Sequence, residues 1–140
     1  MNSRTGIALG VVLYRNPLEE LRRLLASLEL CRSTPGTPPF QVCWWDNSPE
    51  DSLREPLARL APAPDYHFAG ANLGFGAAHN RMMARVFASP DVSHYVCVNP
   101  DGVLHPDCRR NWWRRPGAGP GRAWWRPGCS RTSTPSATTR

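Results

Sequence analysis

The sequence predicts an α/β fold, a mostly parallel sheet with helices packed on both faces. Two observations lead there. Short apolar runs alternate with segments of helical periodicity, in the order strand, helix, strand, helix, strand, helix, strand. Each strand-like run also stops at a polar cluster: Tyr14-Arg15-Asn16, Asp46-Asn47-Ser48, Gly70 to Gly76, and Asn99-Pro100-Asp101. Right-handed crossovers align the carboxyl ends of parallel strands along one edge. Ligands of such folds bind just outside those ends. The polar clusters are therefore expected at the ligand edge.

The first run, GIALGVVLY from Gly6 to Tyr14, is continuous and rich in β-branched residues, as expected of a strand buried on both faces. With Arg4 before it the run faintly resembles a signal peptide. It lacks a small-residue cleavage site and leads straight into Tyr14-Arg15-Asn16-Pro17, so it is read as a strand. Asn16 suits an N-cap and Pro17 the first helical turn. Glu19 and Glu20 lie where the macrodipole favours acids. Leu18, Leu21, Leu24, Leu25 and Leu28 form one apolar stripe. The loop STPGTPP leads to a second strand, FQVCWW, which stops at Asp46. A helix from about Pro49 to Leu60, capped by Ser48, is expected next. Beyond APAP, the stretch DYHFAG reads as a short third strand. NLGFGAAHNRMMARVFA opens as a glycine-rich turn and continues as a helix through Met82, Met83, Val86 and Phe87. SHYVCV is the fourth strand and delivers Asn99-Pro100-Asp101.

At 140 residues the chain has room for one domain with a modest core. Its formal net charge of +6 hides a division. Residues 1–107 carry 9 arginines and all 11 acids, a net charge of −2, whereas residues 108–140 carry 8 arginines and no acid, +8. The basic balance is thus no nucleic-acid signal for the folded part. Every basic residue is arginine. The cysteines Cys31, Cys43, Cys97, Cys108 and Cys129 are odd in number and lack C-x-x-C spacing. Idle thiols in a reducing compartment are expected, not a disulfide framework or a zinc site. Ile7 to Tyr14 is too short an apolar run to span a bilayer, and a cytoplasmic protein is the expectation.

Each cluster has a chemical and a plain reading. Asp46 and Asn47 could hydrogen-bond a nucleobase or ribose, or could simply form a turn and cap a helix. Gly70, Gly74 and Gly76 precede a helix, where backbone amides can approach a diphosphate. The run is neither G-x-G-x-x-G nor a P-loop, and it also fits an ordinary helix-start turn. His79 and Asn80 fall in the first turns of that helix, and a lone histidine is usually a surface or satisfied residue. Asp101 suits a hard divalent cation, since Mg²⁺ or Mn²⁺ often takes one or two protein carboxylates and completes its shell with phosphate and water. It also suits a turn.

Taken together, these pieces resemble the family 2 glycosyltransferases, the inverting enzymes of the GT-A fold, and among them the rhamnosyltransferase-type members. VVLYRNP looks like the family's first strand ending in V-T-Y-N. VCWWDNSPEDS looks like its V-V-D-N-S-S-x-D-x-S segment. ANLGFGAAHNRMM is similar to N-x-G-F-G-x-x-x-N, and YVCVNPDGVLHPD to L-L-N-P-D-x-x-L-x-P-D. The four stretches span about residues 6–107 in the family's order. The resemblance implies a Rossmann-like nucleotide-sugar-binding portion over residues 1–107. Tyr14 would lie beside the nucleotide, and Asp46 would bind the base. Asn72, Gly74 and Asn80 would line the nucleotide and sugar-phosphate site. Asn99-Pro100-Asp101 stands where the family has D-x-D, with Asn in place of the first Asp. Asp101 would then hold a divalent metal, Mg or Mn, that neutralises charge on the leaving nucleoside diphosphate. The implied partners are a dTDP- or UDP-linked sugar donor and a saccharide or glycolipid acceptor, with no nucleic acid. A peripheral place at the inner face of the membrane would suit a glycolipid acceptor.

The family's general base, needed to deprotonate the acceptor hydroxyl, lies well beyond the D-x-D region. In this sequence no acid follows Asp107, and no Val, Ile, Leu, Met, Phe or Tyr follows Leu104. No catalytic residue is therefore assigned. Residues 108–140 have four Trp as their only sizeable apolar groups, and a disordered basic tail is expected. Such a tail could bind nucleic acid or an anionic membrane. The alternative is a frameshift soon after Asp107. Trp-Trp-Arg-Arg encoded TGG-TGG-CGG-CGG, shifted by one base after a C, reads Leu-Val-Ala-Ala, the aliphatic helix the resemblance calls for. The chain would then be truncated, an inactive nucleotide-binding fragment or remnant. A sugar-phosphate nucleotidyltransferase is the competing enzyme class, but it usually wants an N-terminal G-x-G-T-R loop and a lysine, and the chain has neither. Resequencing the gene from codon 95 past the stop is expected to reveal a shifted frame that restores an aliphatic helix and an acidic base. A confirmed frame with nothing of the kind downstream would sink the frameshift.

Overall fold

The computed structural model describes residues 6–61 and 65–106. Residues 107–140 lie outside the described residues, and the expectation for the tail lies there with them. Seven elements follow in order: β1 (Gly6–Leu13), α1 (Leu18–Ser33), β2 (Phe40–Asp46), α2 (Arg54–Leu60), β3 (Asp65–Phe68), α3 (Phe75–Val86) and β4 (Val92–Val98). All strand pairings are parallel, and the sheet order is β3-β2-β1-β4. The chain is an α/β protein with flanking helices, consistent with a Rossmann-like fold. No helix among the described residues is long and apolar enough to cross a membrane.

The two-residue period of the strands sorts the core into two layers. Ile7, Leu9, Val11 and Leu13 of β1 pack with Trp44, Val98 and the α1 and α2 residues Leu21, Leu24, Leu28 and Leu57. On the other face Ala8, Cys43 and Trp45 pack with Ala78, Met82 and Val86 of α3. The adjacent tryptophans of β2 thus serve opposite layers. Of the leucine stripe of α1, Leu21, Leu24 and Leu28 are buried and Leu18 and Leu25 partly so, and Ser27 and Cys31 join the buried face. Burying one such leucine side chain is worth about 1.5–3 kcal/mol.

Three sequence expectations are corrected. Asn16 does not cap α1. Pro17 is the N-cap, with no side-chain hydrogen bond. The Asn16 carboxamide instead accepts from the Tyr14 N–H at 2.8 Å and donates to Glu20 at 3.1 Å. Ser48 does not cap α2 either, because its hydroxyl accepts the Arg15 N–H at 2.8 Å. With that cap committed elsewhere, α2 starts at Arg54 and not near Pro49. Pro56 is then in the first turn, where its missing N–H costs nothing. Lastly, Phe87 follows α3 as its C-cap and is 48% exposed. The described cysteines, Cys31, Cys43 and Cys97, are free thiols as expected. Burial, with Asp65 beside it, pushes the Cys43 thiol up to about 12, which leaves it unreactive at neutral pH.

Two further contacts place the ends of the fold. Past β4 the chain turns, with the Gly102 N–H on the Asn99 carbonyl at 3.0 Å. It then lies against α1, where the Leu104 N–H donates to Ser27 Oγ at 3.1 Å. In β1, Gly10 lets β4 close up: a methyl there would collide with the Tyr95 hydroxyl and ring. Gly10→Ala is expected to lower the unfolding free energy by about 1–3 kcal/mol, the usual range for overpacking. Urea denaturation checks this, and an unchanged midpoint would mean that the Tyr95 ring does not lie across the strand.

Candidate functional site

Strand register decides which residues share the carboxyl edge. Leu13 of β1 is level with Asp46 of β2, and Asp46 is level with Phe68 of β3. Val98 of β4 is level with Val11. The four polar clusters therefore emerge side by side. The strand order reverses between β1 and β4, which is the switch point where open α/β sheets bind ligands.

Asn47 ties this edge together. Its backbone N–H donates to the Leu13 carbonyl at 2.8 Å. Its side-chain oxygen accepts from the Trp45 indole at 3.0 Å, and its amide donates to the Gly74 carbonyl at 3.3 Å. Beside it Arg15 adopts φ 52°, a left-handed conformation that costs a non-glycine residue of order 1 kcal/mol. The Ser48 bond to its N–H holds it there. Tyr14, next in the chain, is half exposed with the Arg15 guanidinium 5.6 Å from its ring.

Asp46 is fully buried. One carboxylate oxygen accepts the Ser48 N–H at 2.8 Å, and the other accepts the Tyr66 hydroxyl at 2.5 Å. That hydroxyl also lies 3.1 Å from Asp51. Asp51 in turn pairs with Arg54 at 2.6 Å, and the Arg54 guanidinium stands 5.0 Å from the Tyr66 ring. Burial, and then Asp46 and Asp51, push Tyr66 well above its ordinary 10.

The glycine loop and α3 form the other wall. Gly74 is the N-cap at φ 82° and ψ 162°, a conformation reserved for glycine. Its N–H is held by Asn72 Oδ1 at 2.9 Å. A side chain at Gly74 or Gly76 would meet open space, so the backbone there is approachable. Among the described residues no side-chain hydrogen bond caps α3, and its first turn has no acid. A helix start of this kind favours an anion.

Of the residues singled out from the sequence, Tyr14, Asn72, Gly74, Asn80 and Asp101 are exposed and Asp46 is not. Asn72, Gly74 and Asp46 are linked through Asn47 and its neighbours. Asn80 lies about 7.5 Å further along α3 than Phe75, and Asp101 stands in the turn after β4. Among the described residues no group of three or more His, Cys, Asp or Glu could hold a metal. One exposed carboxylate fits an ion that arrives with a diphosphate and water for its remaining ligands, and does not fit a resident metal with an all-protein shell. Tyr66, Asp51 and Arg54 carried no sequence signal as a group, because only the β2–β3 pairing brings them to Asp46. A cavity of about 820 Å³ lies away from this edge, over Leu25, Leu28, Phe40 and Trp44.

The fold and this edge define a class, a Rossmann-like α/β protein with polar loops at its switch point. No protein-family model matches the chain, and no curated protein matches it.

Tyr66→Phe would leave a buried Asp46 oxygen without its donor, at an expected cost of about 1–3 kcal/mol. The folded-state proton affinity of Tyr66 exceeds the unfolded one. Its contribution is therefore complete below pH 10 and lost as pH rises beyond that. Denaturant midpoints at neutral pH and above pH 10 check both statements. Variant and parent should differ at neutral pH and converge at high pH. A constant difference would show that Tyr66 does not titrate as described.

Proposed function

We propose that this chain is the donor-binding portion of an inverting family 2 glycosyltransferase of GT-A type. It takes a dTDP- or UDP-linked sugar, rhamnose being the first candidate, for transfer to a saccharide or glycolipid acceptor. The observation that carries this reading is the meeting of all four motif segments on one edge, at the reversal of strand order. The uncapped start of α3 and the open backbone at Gly76 would receive the diphosphate, with Gly74, its own N–H held by Asn72, leaving the approach clear of a side chain. Tyr14 would flank the nucleotide, with Asn72 and Asn80 toward the sugar phosphate. Asp101 would hold Mg²⁺ or Mn²⁺, which when bound supplies charge neutralisation for the departing diphosphate. For Asp46 to reach a base, the Tyr66 hydroxyl must first turn to Asp51, which already lies in range.

A second reading, an inactive nucleotide-binding fragment, is favoured by one observation: no acid follows Asp107 in this sequence. A general base for the acceptor hydroxyl would have to come from elsewhere. Both readings require donor binding, and only the first requires transfer.

Calorimetric titration of the full chain with dTDP and UDP, with and without Mn²⁺, tests the reading. Binding is expected to tighten with metal. Asp101→Asn should remove that gain, a loss of roughly tenfold or more for a lost carboxylate ligand. The exposed position of Asp101 should leave thermal stability unchanged. No binding to a demonstrably folded sample would sink both readings. Equal metal dependence in Asp101→Asn would remove Asp101 from the site.

A further inference from the structure

We infer that His79 is a proton-operated latch: uncharged, it holds the first turns of α3 and the glycine loop against β1 and β4, and protonated, it releases them. The inference goes beyond donor binding and stands whether or not the loop receives a nucleotide.

His79 lies one turn into α3 and is 3% exposed. Its Nδ1 is 2.7 Å from the Tyr95 hydroxyl of β4. The Phe75 ring packs edge-on against it with centroids 4.2 Å apart, and the Tyr95 ring stands at 82° to it. Gly10 of β1 makes room for Tyr95, so one chain of contacts runs from the centre of the sheet to the helix start. The other ring nitrogen, Nε2, is buried with no hydrogen-bond partner among the described residues. A neutral imidazole has one donor and one acceptor nitrogen, so either tautomer leaves Nε2 unpaired. The closed arrangement therefore carries a standing cost even before any proton is added.

Protonation makes both nitrogens donors and adds a full charge in a site that cannot hydrate it. The titratable groups facing the ring offer little relief. Tyr95 comes from β4, with the Cys97 thiol and then the Cys43 thiol of β2 acting on Tyr95 behind it. β1 presents Gly10, which has no side chain. On α3 itself, Arg81 lies over the Trp45 ring and Arg85 pairs with Asp65. Burial accordingly lowers the proton affinity of His79 below its ordinary 6.5. A cation near the start of a helix is also opposed by the macrodipole. Because the ring is only one turn from that start, fraying the first turns is the cheapest route to water. The closed state is thus complete above pH 6.5 and weakens as pH falls from 6.5 toward the lower folded-state value.

Hydrogen exchange on the full chain, read over residues 72–80 and corrected for intrinsic rates, tests the latch beside an NMR titration of the His79 ring. Protection is expected to be flat above pH 6.5 and then to fall by at most about tenfold per pH unit, the limit for one proton. Protection in α1 and β2 should stay level over the same window. His79→Gln, neutral throughout, should abolish the slope. The wild-type chain alone can overturn the inference if that variant does not fold. A ring titrating at 6.5 with flat protection over 72–80 would do so, as would a loss spread evenly over α1 and β2. An unchanged slope in His79→Gln would overturn it as well.

Discussion

Asn47 follows β2 with its N–H on the Leu13 carbonyl, its side-chain oxygen on the Trp45 indole and its amide on the Gly74 carbonyl. Three chain segments far apart in sequence meet at this one buried residue: the end of β1, the end of β2 and the loop before α3. Its side chain is 2% exposed, so water cannot stand in cheaply for a lost partner. The carboxyl edge keeps its shape because these bonds are made together. Without them the glycine loop would keep its apolar contact through Leu73 but lose its polar tie to Asn47.

The neighbouring polar groups build outward from that tie. Ser48 holds Arg15 in a conformation the residue would not choose alone, beside the half-exposed Tyr14. Asp46 faces inward to Ser48 and Tyr66. A carboxylate that is buried and accepts two hydrogen bonds organises the edge before it can recognise anything. Tyr14, Asn72 and Asp101 are exposed at the same edge. This division between a buried polar frame and an exposed polar rim is what the switch point of a parallel sheet requires, since the loops there have little apolar core of their own.

The strands were legible because GIALGVVL and FQVCWWD combine β-branched or aromatic residues with abrupt polar stops. The helices α1 and α3 were legible from their apolar stripes. The caps expected for α1 and α2 were not found. Asn16 and Ser48 have the right chemistry for capping, but each found another partner, Ser48 one 33 residues away in sequence. Local propensity ranks what a side chain can do nearby and is blind to such competitors. The burial of Asp46 was hidden for the same reason, because its partner Tyr66 comes from a four-residue strand. His79 looked like an isolated histidine until the β1–β4 pairing set Tyr95 over Gly10.

By itself the sequence determined the alternation of elements, the parallel sheet that alternation implies, and the placement of polar clusters after each strand. Those follow from periodicity and from turn chemistry, both local properties. The tertiary structure alone decided which polar groups are buried and which are free. It made Asn47 the tie, turned Asp46 inward and left Nε2 of His79 without a partner among the described residues. Hydrogen-bond satisfaction in a core depends on what other strands bring to the same point, and only the folded register supplies that.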